Sequence, residues 1–359
     1  MRPPIKPNPK TPVKSQPKEG KTLKLQQQVC IVRFSPCGKF LVAGGFDGKG
    51  HLWDATTDVL TPLQALTGHN GWVQTLAFHP DCKRLFTADT WGRLCCFSYA
   101  EKRDRPLWTV PQAHDGWLRQ VAVSPDGKRL ATCGRDGAVR LWSVDDGKKQ
   151  QEVTSHGDDV FSIAFHPDGK SLVYGDIKGV VHQWDLATGK AGRTFDARLM
   201  YRYDRIQDVG GVRCLAFDTS GTMLACGGTQ PKSGGFVQGT PLILLFDWQT
   251  GKLRHTHKIG ADNDGFVYDM AFHATGFVMA VTSGQPGSGK LLFQRPGEAQ
   301  PFFLSTKMAN CHSLAVHPNG KRLIVSATNG GSNGNGRQLG KNKDYPGNWS
   351  PLHSWEMNY

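Results

Sequence analysis

The feature that most restricts the fold of this chain is a unit that recurs seven times at near-regular spacing. Its fullest copy runs from Ala113 to Ser143. His114 precedes a short apolar strand, Leu118 to Val123, and the turn Ser124-Pro125-Asp126-Gly127. A second strand, Arg129 to Cys133, leads into the turn Arg135-Asp136-Gly137, and a third ends on Trp142. Proline presets φ in such turns and glycine supplies the positive φ they need. The apolar runs are too short for helices and carry no 3.6-residue period. Anchoring each copy on the last apolar residue before its first turn gives Phe34, Phe78, Val123, Phe165, Phe217, Phe272 and Val316, spaced by 44, 45, 42, 52, 55 and 44 residues. Third strands end on Trp53, Phe97, Trp142, Trp184, Phe246 and Phe293. A period of about 40–45 residues with an aromatic at this point predicts four-stranded propeller blades. The expected fold is therefore all-β: a single seven-bladed β-propeller of antiparallel blades over residues 22–359.

Over this span the chain resembles the WD-repeat β-propeller family. Trp53-Asp54 and Trp184-Asp185 match its namesake dipeptide, and Gly68-His69 its Gly-His pair; Ala113-His114 and Ser155-His156 keep only the histidine. The resemblance implies a hydrogen-bonded tetrad within a blade, carried over to His114, Thr132, Asp136 and Trp142. Only blade three keeps all four. Blade two has Trp91 at the Asp position and Phe97 for Trp, and blade four has Lys178 at the Asp position. The seventh copy reaches its third strand, ending Trp355-Glu356, only after a Gly/Asn-rich insertion, and has no fourth strand of its own. The surplus strand precedes blade one. Residues 22–28 are expected to complete blade seven and close the ring, which leaves no blade edge short by a strand.

In the WD-repeat arrangement, the loop entering each first strand and the loop joining second and third strands share one face, called top. The longest departures from the repeat fall on those loops, at residues 195–211, 229–241, 283–290 and 328–350. Function is carried by what a scaffold displays. Tyr201, Arg202 and Tyr203 in the first of these are candidate contacts. A second group comes from first-strand positions four and six residues before each anchor, which face the central opening. They include Trp72, Trp117, Arg119, Phe161, Arg213, Phe266 and Tyr268, with Arg135 beside them. Aromatic and Arg side chains are the types enriched at binding hot spots. This collar predicts a non-catalytic scaffold that binds an acidic or aromatic-accepting protein or peptide segment on its top face, as a monomer or as a subunit of a larger complex.

Other chemistries find little support. Gly284 to Lys290 fits the start of a phosphate loop, but Leu291 stands where Ser or Thr is required and a strand follows instead of a helix. His79, His166, His273 and His317 recur at one blade position, which spreads them around the bottom face and away from a shared metal. His255 and His257 lack a third ligand nearby. No catalytic residues, metal or cofactor are expected. The net charge of +13 includes +6 from Met1 to Lys24, a Pro/Lys-rich stretch whose first 21 residues read as a disordered tail. A nucleic-acid-binding propeller using this tail and the collar is the rival reading; a propeller enzyme would need a carboxylate- or metal-lined channel. No run of 18 apolar residues occurs, so no membrane-spanning helix is expected. The tail lacks the apolar core of a secretory signal. Nine cysteines without regular spacing fit a reducing, cytoplasmic compartment.

Overall fold

The computed structural model describes residues 16–101, 104–155, 157–232, 239–284, 289–329 and 348–359. Seven four-stranded antiparallel sheets follow one another along the chain. Their first strands are Val29–Phe34, Val73–Phe78, Leu118–Val123, Val160–Phe165, Cys214–Phe217, Phe266–Phe272 and Cys311–Val316. Each ends on the anchor read from the repeat. Second strands such as Arg129–Gly134 are buried at all but their first residue, because each blade is covered on both faces. Alternate residues therefore enter different seams. Ala131 and Cys133 pack with blade four beside Ile163 and Leu172, while Leu130 packs with blade two beside Phe86 and Cys96. Seven apolar clusters result among the described residues, one per seam between neighbouring blades.

The N-terminal strand does complete blade seven, where it pairs antiparallel with Pro351–Glu356. It spans Lys18–Lys24 and not residues 22–28. The chain leaves the ladder at Lys24 because Leu25 inserts into the seam between blades one and seven and Gln27 turns to hydrogen-bond His51. Lys18 to Lys21 thus belong to the sheet, and the tail reading for residues 1–15 lies outside the described residues. Two further loop readings are corrected. Thr229 to Pro231 pair with Gly239 to Pro241 and prolong the second and third strands of blade five. Residues 195–211 hold a 3-10 turn, Arg198–Met200, and a hairpin of Tyr201–Asp204 with Gln207–Gly210. In both, alternating backbone pairing satisfies polar groups that a loop would leave to solvent. Residues 285–288 and 330–347 of the other two insertions lie outside the described residues.

The tetrad of blade three forms a continuous relay. Trp142 Nε1 donates to Thr132 Oγ1 at 2.8 Å, the Thr132 hydroxyl donates to His114 Nε2 at 2.7 Å, and His114 Nδ1 donates to Asp136 at 2.8 Å. Blade two is less degenerate than its sequence suggests. Asp89, two residues before Trp91, takes the acidic role: His69 Nδ1 donates to it at 3.0 Å, and Thr87 lies 2.6 Å from Nε2. Only the tryptophan is missing. In blade four, Asp176 likewise precedes Lys178 and meets His182 at 2.9 Å.

The recurring bottom-face histidines are latches between blades. His79, His166, His273 and His317 each donate from Nε2 to the carbonyl of the fourth turn residue of the next blade, Gly127, Gly221, Gly320 and Gly38, at 2.7, 2.8, 3.4 and 3.1 Å. A fifth tie crosses two seams. Arg33 of blade one forks onto Asp269 of blade six at 2.7 and 3.2 Å, and Asp269 also accepts from Ser313 and the Leu314 N–H of blade seven.

Two outcomes follow from these networks. Asp269→Ala strips Arg33 and Ser313 of their shared acceptor and should cost about 3 kcal/mol in urea unfolding. Equivalent histidines should titrate on opposite sides of 6.5, their ordinary value. Burial opposes charge on His69, but the Asp89 hydrogen bond raises it to about 9; with Phe97 in place of Trp, Thr87 is free to accept from Nε2. Burial, aided by the Arg140 guanidinium, holds His114 below its ordinary value. The stability that His69 adds is complete below pH 6.5 and is lost as pH rises through about 9. NMR titration of the imidazole carbons reads both midpoints.

Candidate functional site

The first strands place one side chain from every blade in a ring around the central channel. These are the residues four before each anchor: Cys30, Gln74, Arg119, Phe161, Arg213, Tyr268 and His312. All seven line one cavity of about 600 Å³. Trp72, Trp117 and Phe266, two residues nearer the top, join them. A shallower cleft of about 400 Å³ opens above blades one to three and shares Phe46, Trp72 and Trp117 with the channel. Trp91 forms its outer wall with 66% of its surface exposed. Phe46 and Trp91 were absent from the sequence candidates. Trp91 was visible only as a lost aspartate, yet a tryptophan replacing a charged turn residue is itself a signal for an exposed contact.

The channel holds three arginines in different electrostatic states. Arg33, one residue before the blade-one anchor, is neutralised by Asp269. It stands where the other six blades have alanine (Ala77, Ala122, Ala164, Ala216, Ala271 and Ala315), a departure that marks a half-buried charge pair. Arg119 lies 4.9 Å from the Trp117 ring centre and 4.7 Å from that of Phe161. It does not point out of the fold: Asp159 of blade four holds it with two hydrogen bonds, at 3.1 and 2.6 Å. Arg213 is sandwiched between Phe161 and Phe266, with ring centres 3.7 and 5.0 Å from its guanidinium. Among the described residues no carboxylate pairs with it, and its buried Nε has no acceptor. Burial brings it down to about 10, so it remains a cation at neutral pH. Burial likewise takes His312 down to about 4, which leaves that ring neutral.

The remaining candidates lie elsewhere. Arg135 is exposed on the top turn of blade three and lines neither cavity. Its backbone N–H instead fixes the Trp117 carbonyl at 2.9 Å. Tyr201, Arg202 and Tyr203 are on the blade-five hairpin and also line neither cavity. Tyr201 donates to Asp208 at 2.8 Å, beneath Lys178 of blade four. Arg202 pairs with Asp204 at 3.3 Å, while Tyr203 is 62% exposed. At the hairpin tip, Arg205 and Ile206 hold φ of 49° and 63°, a conformation that a β-branched residue rarely adopts.

Comparison with known proteins gives the repeat a name. The family model of the WD domain, G-beta repeat, matches residues 18–54, 60–98, 105–143 and 147–185. Each match begins at or before the outer strand of one blade and ends on the third strand of the next, so the four cover blades one to four in register. Actin-interacting protein 1 of Drosophila melanogaster is 44% identical over 59 residues, 16% of this chain and 10% of that protein. Nuclear distribution protein PAC1 of Arthroderma benhamiae, and likewise that of Trichophyton verrucosum, is 35% identical over 68 residues, 19% of this chain and 14% of the relative. The chain therefore matches these relatives over only a small part of their length. Four family repeats in register make up blades one to four of a closed ring of seven, so residues 18–185 belong to the WD-repeat family and the chain is a seven-bladed β-propeller.

Proposed function

We propose that the protein is a non-catalytic interaction platform that receives an acidic protein or peptide segment at the top mouth of its channel. The observation that carries this reading is Arg213. A desolvated cation without a counterion is costly, and a carboxylate from a partner would restore the missing fork of charge-assisted hydrogen bonds. The aromatic faces beside it already hold the chain's own guanidinium groups, so a partner's cation would meet like charge there. Trp72, exposed, and Trp117, half-buried, supply apolar contact area above the ring at small entropic cost. The stiff ring fixes these groups before the partner arrives.

Selection from a random peptide library on the immobilised protein tests the reading. Enriched peptides should carry Asp or Glu, and Arg213→Met should weaken their binding about tenfold, the ~1.4 kcal/mol of one charge-assisted contact. Binding should fall only shallowly with salt, whereas a nucleic-acid site built on many phosphate contacts would give a steep slope. Acid-free peptides, or equal affinity for the Met variant, would contradict the proposal. Thermal unfolding supplies the folding control. Arg213→Met keeps the apolar volume and should leave stability unchanged or raised. Arg119→Ala leaves Asp159 unpaired and should cost about 1–2 kcal/mol.

A further inference from the structure

The bottom-face turns hold a second site, unrelated to the channel. Their fourth residue is glycine in six blades and cysteine in blade two, Cys82. Its φ is 59°, in the region that the glycines occupy at 70–95°. A Cβ built at the glycines shows what that position faces. At Gly38, Gly127 and Gly221 it would lie 2.5, 2.6 and 2.7 Å from Nε2 of the latch histidine of the preceding blade. A side chain at Cys82 therefore points across the seam to blade one. Blade one is one of the blades without a latch histidine: Ser35 stands there, and the smaller residue leaves room. It also brings the other anomaly of this face, Cys37, an exposed cysteine two residues on. Ser35 Oγ, in the latch position, lies 3.3 Å from Cys37 Sγ, and each of the two thiols shifts the titration of the other across the seam.

We propose that Cys37 and Cys82 are a redox-sensitive dithiol that a hydroperoxide converts into a disulfide joining blades one and two. The Cys37 thiolate attacks the terminal peroxide oxygen, breaking the O–O bond; an alcohol (water, for hydrogen peroxide) leaves and Cys37 becomes the sulfenic acid. The Cys82 thiol then attacks the Cys37 sulfur and expels water. Two thiols lose two hydrogens and the hydroperoxide is reduced. The site separates the two roles. Burial raises the Cys37 thiol, but the Ser35 hydroxyl, the Lys39 N–H and the Cys82 thiol outweigh it and hold it below its ordinary value. Burial and the Cys37 charge raise Cys82, which suits it to resolve the intermediate, not to initiate. Six of the other seven cysteines are buried, and the seventh, Cys30, faces the channel. The bond would supply covalently, and reversibly, the tie that histidine provides at four other seams.

The test is equimolar hydrogen peroxide on the whole protein, followed by non-reducing tryptic mapping. The expected product is Phe34–Lys39 joined to Gly50–Lys83, released by dithiothreitol, with the other cysteines still alkylatable. The oxidised protein should melt higher than the reduced one. Cys82→Gly restores the turn residue of the other blades, so it should fold normally; its Cys37 should stop at sulfenic acid with one equivalent of peroxide and pass on to sulfinic acid when a second equivalent is added. Cys37 oxidised to sulfenic acid, or to sulfinic acid with a second equivalent of peroxide, in the wild type without the cross-link, or a cross-link through other cysteines, would overturn the proposal.

Discussion

Burial of every blade on both faces is the constraint on which the structure rests. A sheet covered on both sides cannot stop at an edge without exposing one seam to water, so the ring must close. Lys18–Lys24 does this by pairing with Pro351–Glu356, and Arg33 holds the same junction from inside through Asp269 and Ser313. Closure fixes the inner strands, and with them the ring of side chains that defines the channel. The stiffness of the site is thus a consequence of how the apolar clusters are distributed.

The two faces divide the work. Bottom turns are short and repetitive, and histidine latches couple them at four of the seven seams. The top carries Trp72, Trp91 and Trp117 over blades one to three and the hairpin over blade five. Within the channel, charge is unevenly settled. Asp269 and Asp159 neutralise Arg33 and Arg119, which makes those two arginines parts of the framework. Arg213 retains its charge between two phenylalanines, with no carboxylate paired to it among the described residues.

The fold was legible because its determinants are local: a proline-glycine turn, an apolar run and an aromatic recur at fixed offsets. The channel ring was legible for the same reason, as one position counted back from each anchor. Pairings across the ring were not. Arg33 and Asp269 are separated by 236 residues, and only the circular order of blades brings them together. The pairing of Arg119 was hidden because its partner, Asp159, belongs to the next repeat. Asp89 was missed because it fills the acidic role from the end of the strand and not from the turn, two residues earlier than the motif places it. The blade-five insertions read as loops because Gly, Pro and charged residues hide the period-two pairing that backbone hydrogen bonds impose.

The central claim, that the top mouth of the channel is the receiving site around Arg213, is tested most directly by photo-crosslinking. A peptide selected for binding, with a photoreactive residue beside its Asp or Glu, is irradiated with the protein and the adduct is mapped by mass spectrometry. The account predicts adducts on Trp72, Trp117, Phe161 or Phe266, the walls around Arg213. Adducts confined to the Tyr201–Gly210 hairpin or to the bottom turns would contradict it.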